Sequence, residues 1–359
     1  MDPRGAMRLA ETLVADGTLP SVVLGISDPA STRVIHAVRG PRDRPVATDS
    51  LFFLASVTKP IVATATMQLV DEGRLDLHRP VGEWLPRFRG GLRDRVTPWH
   101  VLTHTSGMPD LPLDELHRRR PGYATLVDKV MASEPTFEPG TRYAYASDGF
   151  YLLAELLRAQ TGMGFDEALR ARLLAPLAMD DTRFDVRPVL SRTVDVHGIG
   201  PANPVTRRVI SRFLAAATLP GGGLFGTAED LLRFGRALLP RAVADPGTPR
   251  ILSQDAIDLM TREQTVGIPE LLEDGTSREP HYALGWHTPR PDALGGATLA
   301  GVPIPGSMTA FTHGGISGTR LWVDPERGLV VVVLSNRWAM DQEPIARVVA
   351  AVYGGWPGP

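Results

Sequence analysis

Five apolar residues, Met7, Leu9, Ala10, Leu13 and Val14, recur at helical spacing ahead of Gly17, and Ser21 to Ile26 then reads as a strand. A second helical pattern follows Asp49 to Ala55; it begins near Ser56, continues through Ile61 to Val70 and stops at Gly73. Pro60 is compatible with that helix only in its first turn, where N–H groups have no intrahelical acceptor. From about Leu75 to Asp230 short helical patterns alternate with glycine and proline, the clearest being Leu152 to Leu157 before Gly162-Met163-Gly164. The tail changes period. Arg320 to Val323, the turn residues Asp324 to Gly328 and the run Leu329 to Leu334 predict an antiparallel hairpin, and Glu343 to Val352 a last helix. Arg241 to Arg250 and Gly267 to Pro280 read as exposed loops. Sheet elements at both ends with helices between them predict a sheet lobe built from the two termini, an inserted helical lobe, and a site in the cleft between them.

At 359 residues the chain has room for one large two-lobed domain. Charged residues at 22% and a net charge of −2 argue against nucleic acid or an anionic membrane as the main partner. Arg118-Arg119-Arg120, the one run of three basic residues, reads as a solvated helix end. There are no cysteines, so thiolate catalysis, disulfides and cysteine-held metals are excluded. Leu329 to Leu334 is far too short to span a bilayer, and the first twenty residues lack an apolar stretch of signal-peptide length, so a cytoplasmic location is expected.

The chain supplies positive charge as 36 arginines and only two lysines, Lys59 and Lys129. One of those two stands three residues after Ser56. On a helix, both side chains share a face, and a desolvated lysine can lose its proton where arginine cannot. Ser56-Val57-Thr58-Lys59 therefore has the layout of an activated serine nucleophile at a helix start, where the dipole favours a developing oxyanion.

Two further segments, Tyr143-Ala144-Tyr145-Ala146-Ser147 and Phe311-Thr312-His313-Gly314-Gly315-Ile316, complete a constellation. With these the chain resembles the serine β-lactamase and penicillin-binding-protein superfamily, in the branch of class C β-lactamases and family VIII carboxylesterases. Leu102 to Gly107 and Gly222 to Leu231 support the likeness. The resemblance implies a single domain, 1–359, of α/β class and α+β sandwich type. An antiparallel sheet lobe at about 1–55 and 225–359 would flank a helical lobe at about 56–224. It implies Ser56 as nucleophile, Lys59 as its proton acceptor or relay, and Tyr145, as phenol or phenolate, as proton shuttle to the leaving group. A cationic Lys59 is expected to lower the Tyr145 pKa. The oxyanion hole would be the N–H groups of Ser56 and Ile316, and Ser147, His313, Gly314 and Gly315 would contact substrate.

His313 replaces a lysine and Ser147 an asparagine that serve β-lactam recognition, which disfavours a β-lactamase. The leading expectation is a hydrolase of small carboxylic esters acting through an acyl-Ser56 intermediate. An acyltransferase using the same intermediate comes next, then a peptidase or amidase acting on D-amino acids, then a β-lactamase. A silent binding protein of this fold would be marked by loss of Ser56, Lys59 or Tyr145. All three are present. No cofactor is expected. A zinc site on His100 and His104 is disfavoured because no glutamate follows His100, and both are read as part of a structural loop flanking the cleft.

Overall fold

The computed structural model describes residues 3–29, 33–40, 46–111, 121–199, 210–243 and 247–354. Arg118 to Arg120 lie outside the described residues. The opening pattern gives helix α1, Arg4–Ala15, and strand β1, Val22–Ser27, followed by β2, Arg33–Val38. Near the other end come β3, Phe311–Gly315, β4, Thr319–Asp324, and β5, Leu329–Leu334. They form one antiparallel sheet in the order β3-β4-β5-β1-β2, so the N-terminal strand docks against the C-terminal hairpin. The hairpin turns at Asp324 to Gly328, as its sequence predicts.

Both faces of the sheet are covered, which is why β5 is an unbroken apolar run rather than an alternating one. Val331 and Val333 face α1 and the last helix, Glu343–Gly354, in a core with Ala10, Leu13, Val348 and Val352. Val330, Val332 and Leu334 face the opposite way, into the larger core of the helical lobe. Burying each such side chain contributes about 1.5–3 kcal/mol.

In the helical lobe, α2, Thr58–Asp71, follows directly on a 3-10 turn at Ala55–Val57, with Pro60 in its first turn. Every residue from Thr58 to Leu69 is buried, so this helix is the lobe's central rod. Helix α3, Phe150–Thr161, packs beside it. The segment expected as an exposed loop after Gly267 includes a small hairpin, Glu270–Leu271 with Ser277–Arg278, whose residues are exposed or half-buried. Of the expected loop at Arg241 to Arg250, residues 244–246 lie outside the described ones. Among the described residues no helix is long and apolar enough to cross a membrane.

Candidate active site

The site begins with a bend in the backbone. Phe52–Phe53 pairs with Phe225–Gly226, and Ala55 then takes φ +49°, a left-handed conformation that a side chain with a Cβ seldom adopts. The chain turns sharply there and enters α2, leaving Ser56 half-buried at the helix start while Lys59 is driven one turn down into the core. Lys59 is 0% exposed. Its Nζ donates to Ser56 Oγ at 3.3 Å, to Ser147 Oγ at 3.0 Å and to the Gly221 carbonyl at 2.7 Å. All three acceptors are neutral. Burial pulls the ammonium down to about 7, against the attraction of Asp110 and Asp148.

Tyr145 flanks the pair. Its ring centroid lies 4.6 Å from Lys59 Nζ, its hydroxyl is hydrogen-bonded to the Ser56 side chain, and the residue as a whole is 40% exposed. The direction of its shift is opposite to the expected one. Burial raises the phenol above its usual value more than the Ser56 hydrogen bond lowers it, so Tyr145 is a phenol at neutral pH. Tyr143, two residues earlier, is turned inward and only 5% exposed. Ser147 and the tyrosine segment are held by Asp110, whose Oδ1 accepts from the backbone N–H groups of Ser147 and Asp148 at 2.6 and 2.8 Å.

The strand β3 is the outermost strand of the sheet, as the His-Gly-Gly sequence suggests, and His287 pairs with its Thr312 on the outer side. At Gly315 a Cβ would run into the Leu54 carbonyl and the Thr319 hydroxyl, so only glycine lets β3 lie against the Ser56 turn. Ile316 follows and lines the same pocket as Ser56. That pocket encloses about 280 Å³ and is walled by Phe53, Tyr151, Phe213, Leu214, Leu219 and Trp338.

His313 is placed differently from expectation. It is 1% exposed and both ring nitrogens are engaged within the protein, which leaves none for a substrate. It ends a buried chain that sequence reasoning missed. The Ala146 N–H donates to His104 Nδ1 at 3.3 Å, so the neutral ring carries its proton on Nε2 and donates to Tyr282 Oη at 3.1 Å. Tyr282 then donates to His313 Nε2 at 3.1 Å, and His313 Nδ1–H to the Gly314 carbonyl at 2.9 Å. Burial holds both imidazoles well below their usual pKa, in keeping with that neutral arrangement. The chain ties the tyrosine segment to β3 through the core, and the Tyr145 ring packs on His104 at 4.3 Å. His104 carries φ +57°, beyond the short helix Pro98–Leu102, whereas His100 caps that helix through Thr97. The two therefore do not share a helical face. No local sequence pattern joins His104, Tyr282 and His313, whose contacts span 178 and 31 positions.

Sequence and structure comparisons show the family and the fold. The Beta-lactamase family model matches residues 7–353, and the chain belongs to that family, among the serine hydrolases of the β-lactamase-like superfamily. It is 31% identical over 341 residues to Esterase EstB of Burkholderia gladioli, covering 82% of this chain and 79% of that protein. It is 32% identical over 300 residues to Penicillin-binding protein 4 of Amycolatopsis lactamdurans, covering 81% and 73%. Among solved structures, a family VIII carboxylesterase superposes with a TM-score of 0.78 at 21% identity, covering 98% of this chain and 96% of that one.

Proposed function

We propose that the protein hydrolyses small carboxylic esters through an acyl-Ser56 intermediate. The observation that carries the reading is Lys59: a fully buried amine in contact with Ser56 Oγ, surrounded by neutral acceptors and brought to about 7 by burial. Its neutral form accepts the Ser56 proton as Oγ attacks the ester carbonyl. The N–H groups of Ser56 and Ile316 stabilise the oxyanion. Tyr145, kept as a phenol, gives its proton to the departing alkoxide and recovers one from the lysine ammonium. Water then attacks the acyl-enzyme with the same groups in reverse order. Ser147 and the Gly221 carbonyl hold Lys59 in place.

The pocket favours esters over larger substrates, since about 280 Å³ is at the lower edge of ligand-site volumes and its walls are mostly apolar. Esterase EstB supports the same reading by its name and its 31% identity. A β-lactam finds no cation at position 313, where a buried neutral imidazole stands instead. The experiment is one plate. p-Nitrophenyl esters, a chromogenic cephalosporin and D-alanyl anilides are offered to the parent and to Ser56→Ala. Rapid ester cleavage that disappears in Ser56→Ala is the expected result, and preferential cleavage of the cephalosporin or the anilides would overturn the reading.

A further inference from the structure

A buried guanidinium without a counter-charge lies beside the strand that borders Ser56. Arg320 sits opposite Gly314 in the β3–β4 register and is 7% exposed. Its Nη1 donates to Thr312 Oγ1 at 3.3 Å and its Nη2 to Gln342 Oε1 at 2.9 Å, both neutral acceptors, and Nε has no partner. Among the described residues no carboxylate pairs with it, and burial lowers it to about 10. A charge held this deep with no anion is costly to the fold, so its retention calls for a ligand.

The surroundings point the same way. Arg320 lines a cavity of about 380 Å³ that contains a second arginine, Arg290, and, among the described residues, no aspartate or glutamate. Burial first, and then the charges of both guanidinium groups, keep the neighbouring His287 uncharged. At Gly314 any Cβ would run into the Arg320 guanidinium, so the glycine is what allows the side chain to cross the edge strand. Ile316 lines both this cavity and the Ser56 pocket, so the two compartments adjoin at that residue.

We propose that Arg320 is a carboxylate-binding subsite, so that the preferred esters carry a free carboxylate on the acyl chain. The chain passes Ile316 to reach Arg320, and the alcohol occupies the apolar pocket. Thr312 and Gln342 take one N–H from each Nη, which leaves one on each for the two oxygens of a carboxylate. The proposal rests on the ester-hydrolase reading of Ser56, and the test separates the two.

Calorimetric titration of Ser56→Ala with glutarate and with its neutral isostere glutaramide reads the subsite without turnover. Glutarate should bind about tenfold or more tighter, as for a hydrogen-bonded charge pair. Arg320→Gln should abolish that preference, and Arg320→Lys, which cannot present a planar fork, should weaken it several-fold. Equal affinity for the two compounds, or an undiminished preference in either variant, would overturn the proposal. Circular dichroism melts establish that each variant folds; if Arg320→Gln does not, Arg320→Lys and the parent comparison decide. In a second arm, kcat/KM for mono-p-nitrophenyl glutarate is divided by that for p-nitrophenyl valerate. The ratio should be about ten or more in the parent and fall about tenfold in Arg320→Gln. Glutarate binding with no hydrolysis of either ester would sink the ester-hydrolase reading alone. Hydrolysis of both without glutarate preference would sink the subsite alone.

Discussion

Lys59 gives the sharpest quantitative expectation. With a pKa of about 7, half of the molecules hold a neutral amine at pH 7. An unshifted lysine would be neutral in roughly one molecule in a few thousand, so burial raises the competent fraction about 10³-fold. kcat/KM for a neutral ester should therefore fall tenfold per pH unit on the acid side, with an apparent pKa near 7, and level off above about pH 8. Lys59→Arg should lose about 10³-fold, because arginine keeps the charge and cannot accept the proton. Asp148→Asn removes one carboxylate that favours the ammonium, so the limb should move to lower pH. The same burial appears in stability. Between pH 7 and about 10.4 the unfolded chain holds a proton that the folded one has released, so stability rises with pH across that window. The rise is on the order of 4 kcal/mol. Lys59→Met should flatten it and raise the melting temperature at pH 7 while abolishing turnover. An acid limb centred near 10, or most of the activity surviving in Lys59→Arg, would refute the reasoning.

Tyr145→Phe should slow ester cleavage by roughly 10²-fold with little change in melting temperature, while the inward-facing Tyr143→Phe should affect the rate far less; steady-state kinetics on both decide. Tyr282→Phe leaves His313 Nε2 without a donor and the His104 Nε2–H without an acceptor, both buried, so thermal unfolding should show a loss of about 1–3 kcal/mol for each orphaned group. Ala55→Val forces a β-branched residue into φ +49° and should cost both stability and kcat, whereas Ala55→Gly should be tolerated in a melting assay.

What the sequence discloses is what short-range rules govern. The strand Leu329–Leu334 is legible because a sheet covered on both faces leaves no polar alternation, and the helix after Ser56 because Pro60 fits only its first turn. Ser56 and Lys59 are neighbours by helical geometry alone. The chain from His104 through Tyr282 to His313 was not legible. Its partners are 178 and 31 residues apart, and a lone buried tyrosine looks the same in sequence whether it bonds two imidazoles or none. The burial of His313 was misread for a related reason: strand pairing placed it at the edge, but only the long loops carrying Tyr282 and His287 determine that this edge is roofed over. Arg320 escaped notice because its meaning lies in an absence of acids near it among the described residues, which no local pattern encodes.

The central claim, a covalent acyl-Ser56 activated by a buried neutral lysine, is tested most directly by acid-quenching the enzyme during turnover of a p-nitrophenyl ester and mapping the adduct by peptide mass spectrometry. The account predicts the mass of the acyl group on the peptide bearing Ser56. It also predicts that the adduct forms far more slowly in Lys59→Arg, and no adduct at all in Ser56→Ala. An acyl group on any other residue, or undiminished ester cleavage by Ser56→Ala, would contradict it.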